Sequence, residues 1–106
     1  MPWIILFAAG LLEIVWAFSM KQSAGFSRPM PTLITLVAMA ASFALLAIAM
    51  RTLPLGAAYT IWTGIGAVGA FFVGVLVLGE SASVLRILAL ILIVAGLVLT
   101  KLSSEG

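Results

Sequence analysis

The sequence contains no cysteine and no histidine, and it carries only five basic and three acidic residues in 106 positions. Without cysteine there are no disulfides and no thiol chemistry, and without histidine as well the usual transition-metal ligands are gone. No cofactor and no metal is expected. Charged residues make up 8% of the chain, where a water-soluble domain carries about 25%, so a soluble fold would lack its polar surface. The pI near 9.7 rests on scattered single residues rather than a basic run, which gives no case for nucleic acid as a partner.

What fills the chain is apolar: 65% of residues are hydrophobic and the mean hydropathy is +1.39. This composition predicts an all-α integral membrane protein, because a helix satisfies its own backbone hydrogen bonds in lipid. Four apolar runs are read at about 2–20, 32–50, 57–78 and 85–102, within a single transmembrane domain covering 1–106. Each is close to the ~20 residues that cross a ~30 Å hydrocarbon core. The first run has no Lys or Arg before it and carries Glu13 inside, so it is read as a retained span rather than a signal peptide. Between runs, "KQSAGFSRPMPT" offers Gly25 and two prolines, with Thr32 suited to an N-cap. "RTLPLG" stops the second run, and "GESAS" offers Gly79 for a C-cap and Ser81 or Ser83 for an N-cap.

The loop charges are nearly balanced. Arg51 and Lys101 fall on one side of a four-span topology, and Lys21, Arg28 and Arg86 on the other. Orientation normally follows an excess of Lys and Arg in cytoplasmic loops. In the plainer reading one charge or another factor fixes the topology; in the sharper reading the chain inserts both ways up. Two inverted copies would recreate the inverted repeats that many transporters place around a midplane site. Four helices are also few for enclosing a water-filled path.

Glu13 is the residue that demands an account. It lies two residues past the middle of its span, where an acid costs several kcal/mol unless protonated, paired or hydrated. No span holds a basic residue at its centre to pair with it. A carboxyl group there can hold a proton in one state and a cation in another; the plainer alternative is a permanently protonated structural acid. Gly10 and Ala17 align with Glu13 on the helix and leave room for a ligand or a second helix, and Trp16 stands beside it at i+3. Trp16 could face a cation with its ring or donate its indole N–H to the carboxylate; interfacial anchoring, the common role of membrane tryptophans, suits Trp3 better. Ser42 sits at a similar depth in the second run, where it either bonds its own i−4 carbonyl or orients Glu13. Met39 at i−3 shares its face.

In the third run, Tyr59, Trp62, Thr63 and Gly66 follow i, i+3, i+4 and i+7, and form one polar-aromatic stripe. Interfacial anchoring remains the alternative for the two aromatics. Gly66, Ala70 and Gly74 extend the stripe as small-xxx-small, and Gly64, Gly66 and Gly69 invite a bend. The fourth run is apolar all round until Thr100; Ala89, Leu92 and Gly96 suit helix–helix contact, and the run is read as a dimerisation helix. Arg28, Arg51 and Arg86 are read as headgroup anchors, and Glu80 as a solvated loop charge.

The length, the four spans, Glu13 in the first and "LPLGAAYTIWTGIGAVGA" in the third closely resemble the small multidrug resistance family, over essentially the whole chain. Within it, "WIILFAAGLLEIVWAFSMK" is similar to the guanidinium exporter branch, in which a Trp follows the Glu by three residues. The branch that exports quaternary ammonium and bulky aromatic compounds usually lacks that Trp and carries an aromatic near the position of Met39. The resemblance implies a transporter rather than an enzyme: an antiparallel, dual-topology homodimer in the bacterial inner membrane, exchanging protons for a guanidinium-type cation. It also implies that Glu13 is the shared proton and substrate carboxylate, that Trp16, Ser42, Tyr59 and Trp62 surround it, and that Gly64–Ile65–Gly66 matches a kink in the third helix. Ala57 and Thr60 depart from the branch's commonest wording, "GTAYA", and Thr60 adds a hydroxyl beside Tyr59. The alternatives carried forward are a multidrug or quaternary ammonium exporter and, in a different class, a non-transporting accessory subunit.

Overall fold

A computed structural model describes residues 2–105, apart from the side chains of 104 and 105. Met1 and Gly106, the ends of the expected domain, lie outside them. The helices are α1 (Pro2–Gln22), α2 (Pro29–Ala49), α3 (Leu55–Leu76) and α4 (Val84–Glu105), and there is no strand among the described residues. All four are long and apolar enough to cross a membrane; at 1.5 Å per residue, 21 or 22 residues span about 32 Å.

The ends of the helices follow local chemistry. α2 starts earlier than Thr32: Arg28 is its N-cap in an extended conformation and Pro29 opens the helix. Proline's fixed φ and missing N–H are tolerated in a first turn, so these prolines start the helix rather than keep it waiting. Thr32 is therefore no N-cap; its hydroxyl donates to the Arg28 carbonyl at 2.6 Å. The preceding turn holds Ala24, Gly25 and Phe26 at positive φ. Buried Ser23 steadies it, donating to the Met20 carbonyl at 2.7 Å and accepting the Phe26 N–H at 3.0 Å. After α3, Gly79 turns the chain at φ 74°, and Ser83 caps α4 by accepting the Arg86 N–H at 3.2 Å.

α1 lies between α2 and α3, while the backbone of α4 approaches only α3. Leu6 and Ala9 of α1, Leu46 and Ala49 of α2, and Ala58, Ile61 and Trp62 of α3 form the core. None of the described α4 residues is buried, although its end is linked to α1 where the Lys101 ammonium stands 4.4 Å from the centre of the Trp3 ring. The Cα envelope measures 45 × 35 × 16 Å. That thickness admits two layers of helices and no lumen between them.

Three glycines in the middle of α3 receive side chains from neighbouring helices. A methyl group on Gly64 would run into Leu97 of α4, one on Gly66 into the Glu13 carboxylate of α1, and one on Gly69 into Ile14 of α1. The helix stays α-helical through all three. On the facing helix, buried Gly10 admits Ile65. The room beside Glu13 that the sequence leaves open to a ligand or a helix is thus taken, on the Gly10 side, by α3.

Candidate functional site

Glu13 projects from the middle of α1 toward α3, and its carboxylate rests where Gly66 lacks a side chain. The residue is half-buried. Among the described residues, two buried side-chain polar atoms have no hydrogen-bond partner: Glu13 Oε1, an acceptor, and Trp16 Nε1, a donor. The expected indole-to-carboxylate bond is not made. The two side chains face different neighbours, since the carboxylate lies on α3 whereas the Trp16 ring packs edge-on against Phe43 of α2 at 6.3 Å. The unpaired Glu13 oxygen can accept from a ligand offering N–H groups or take a proton, whereas the Trp16 N–H, one helical turn away, is left for an acceptor.

Ser42 bonds neither its own i−4 carbonyl nor the Glu13 carboxylate directly. Fully buried, it donates to the Ala9 carbonyl of α1 at 2.7 Å and accepts the Trp62 indole N–H of α3 at 3.0 Å. Its hydroxyl thereby ties three helices at one point. The carbonyl it holds lies one turn before Glu13, so Ser42 fixes the backbone that aims the carboxylate rather than the carboxylate itself. Ser42→Ala would leave the Trp62 N–H buried and unpaired, at a cost of about 1–3 kcal/mol. A thermal midpoint in mild detergent that falls by several degrees is the expected result, and an unchanged midpoint would remove the tie from the account.

Trp62 is buried, which decides against interfacial anchoring for it. Its ring meets Phe43 at 5.7 Å and Tyr59 at 5.5 Å, so Trp16, Phe43, Trp62 and Tyr59 form a continuous aromatic chain across α1, α2 and α3. Tyr59 is exposed at the outer end of that chain. Thr63 is exposed and Gly64 lies under Leu97; with Tyr59 they line a groove of about 460 Å³ between α3 and α4, closed by Leu92 and Gly96 on the other wall. Ala89 lines a neighbouring groove. Met39 is half-buried on α2 and joins none of these ring contacts or hydrogen bonds. Sequence reasoning has little reason to single out Phe43, one apolar residue among many; its only signal is that it follows Ser42.

A family model described as "Small Multidrug Resistance protein" matches residues 1–93. The chain belongs to the small multidrug resistance family. It is 62% identical over 104 residues to a guanidinium exporter of Yersinia pseudotuberculosis, covering 98% of this chain and 100% of that one. A guanidinium exporter of Salmonella typhimurium strain LT2 is 62% identical over 105 residues, and one of Citrobacter freundii 59%, each covering 99% of this chain and 100% of the relative. Membership of the small multidrug resistance family together with four apolar helices makes this a multi-pass membrane protein.

Proposed function

We propose that this small multidrug resistance protein exports guanidinium-type cations in exchange for protons, working in the bacterial inner membrane as an antiparallel, dual-topology homodimer. The observation that carries the reading is the mid-span carboxylate of Glu13, whose buried Oε1 has no hydrogen-bond partner. The full-length likeness to proteins named guanidinium exporters supports the choice of cation.

A guanidinium ion is planar and offers its N–H groups in a fork, which a carboxylate can accept in pairs. A bare carboxylate is costly at the bilayer centre, so Glu13 changes sides at least cost when it carries either the cation or a proton. Both bind the same oxygens, and that competition couples the two flows. Ser42 and Trp62 hold the α1 backbone behind the carboxylate, the Trp16 and Tyr59 rings stand on the path, and a second, inverted copy brings the matching Glu13. Thr60, exposed next to Tyr59 in the α3–α4 groove, is placed to tune which substituents on the cation are accepted.

The test is uptake into proteoliposomes driven by a pH gradient, with guanidinium and tetraethylammonium compared in one preparation. Guanidinium uptake that collapses with the gradient is expected. At the face that binds the cation, competition predicts an apparent KM that rises as pH falls, by up to about tenfold per pH unit for one competing proton. Faster transport of tetraethylammonium would favour the multidrug reading, and purified protein that moves neither cation would favour an accessory role.

A further inference from the structure

Away from Glu13, at the end of the bundle where α3 turns into α4, the chain displays a guanidinium group already bound. The Arg86 side chain donates from Nη2 to Glu80 Oε1 at 3.1 Å and from Nη1 to the Ser81 carbonyl at 2.6 Å. Its guanidinium carbon stands 5.3 Å from the centre of the Phe71 ring, within the range of a cation–π contact. Arg86 and Glu80, read from the sequence as a headgroup anchor and a solvated loop charge, thus form an exposed ion pair with each other. The pocket is built: the Glu80 carboxylate lies on Gly74, where an added methyl would approach it to 2.7 Å, and the Glu80 N–H donates to the Gly74 carbonyl at 2.9 Å.

We propose that Glu80, the Phe71 ring and the Ser81 carbonyl form a second guanidinium-binding site, occupied in this structure by the chain's own Arg86. A carboxylate, an aromatic face and a carbonyl oxygen are what a free guanidinium ion needs: a charge partner, a surface to stack on and a second acceptor. The site opens into a groove of about 400 Å³ that Glu80 and Arg86 share with Ala67 and Ile93. Ala67 adjoins Gly66, the seat of Glu13, so the groove leads from the turn toward the depth of the central carboxylate. Both ion-pair side chains are substantially exposed, at 39% and 45%, and pairs so exposed are held weakly. The same exposure keeps the affinity for a free cation low, and to displace Arg86 that cation must outcompete a tethered group whose effective concentration is on the order of millimolar or above. Guanidinium at such levels frees the α3–α4 corner, and the site serves as a low-affinity vestibule. That use in transport rests on the proposed function; the binding itself does not.

Binding is read by amide NMR shifts at Gly79, Glu80 and Ser81 in bicelles. Methylguanidinium is titrated in a Glu13→Gln background, so that the central site makes no contribution. With Arg86 present, shifts are expected only in the tens of millimolar. Arg86→Met keeps the side-chain stem over Phe71 but removes the guanidinium, and should lower the midpoint at least tenfold. Glu80→Gln added to Arg86→Met should abolish the response, and potassium chloride at equal ionic strength should not reproduce it. Lys21 lines the cleft on the other side of Glu80, so Arg86→Met is also titrated with Lys21→Gln, which stops that ammonium from taking the carboxylate. No saturable shift in either form, or a shift that survives Glu80→Gln, overturns the site. Because every sample lacks the Glu13 carboxylate, this result stands or falls separately from proton-coupled export.

Discussion

Glu13→Gln is expected to bring guanidinium uptake in proteoliposomes down to the protein-free background while the protein stays folded. Glutamine keeps the shape of the side chain and fits the same seat against Gly66, so the packing of α1 on α3 should survive. What disappears is the charge and the exchangeable proton. Two charge-assisted hydrogen bonds to a carboxylate contribute about 1.5–3 kcal/mol each, so their loss alone costs about 10²–10⁴ in cation binding. Coupling fails for a separate reason: an amide does not exchange proton for cation, and nothing then links the two flows. Uptake of labelled guanidinium under a pH gradient measures both, and near-ultraviolet circular dichroism of Trp16 and Trp62 checks the fold. Wild-type uptake in this variant would sink the mechanism.

The second large effect is expected from one added methyl group. In Gly66→Ala the new carbon would occupy the space of the Glu13 carboxylate. Either the carboxylate leaves its seat or α1 backs away from α3, and overpacking of this kind costs about 1–3 kcal/mol. If the carboxylate moves, transport should fall by about 10–100-fold, which is the same energy expressed at the site. Gly69→Ala is the informative contrast, because its methyl meets Ile14, an apolar side chain with no part in binding. That variant should lose thermal stability with a much smaller loss of transport. Gly56 and Gly96 have open space where a methyl would go, so alanine at either should leave Glu13 in place. Equal transport losses for Gly66→Ala and Gly69→Ala would mean that the glycine serves general packing and not the carboxylate.

These expectations separate what the sequence makes readable from what it conceals. The four helices are legible because lipid imposes a single demand, an apolar run of sufficient length, and composition states it directly. Glu13 is legible for the same reason inverted: a charge in oil has to be explained. The boundary at Pro29 is harder, because proline serves equally as a breaker and as the first residue of a helix, and here the extended conformation of Arg28 before it makes it the latter. Ser42 is identifiable as important but not in its partners, since Ala9 lies 33 positions away along the chain and Trp62 lies 20. Gly64, Gly66 and Gly69 read as points of weakness until the side chains that fill them are known, and those side chains belong to other helices. Glu80 and Arg86 look like two separate loop charges because the left-handed turn at Gly79 that brings them together is not written in their own chemistry.

The slab shape of the chain bears on kinetics. A single copy, 16 Å thick, surrounds nothing, so under the proposed pairing the working unit is made only when two copies meet in the plane of the membrane. At low density in lipid most copies are alone, and pairs accumulate with the square of the amount of protein. Activity per chain then rises with protein-to-lipid ratio before levelling off, and a bacterium making few copies has even fewer working transporters than chains. Expression level becomes a control on export in its own right, steeper than the number of chains would suggest.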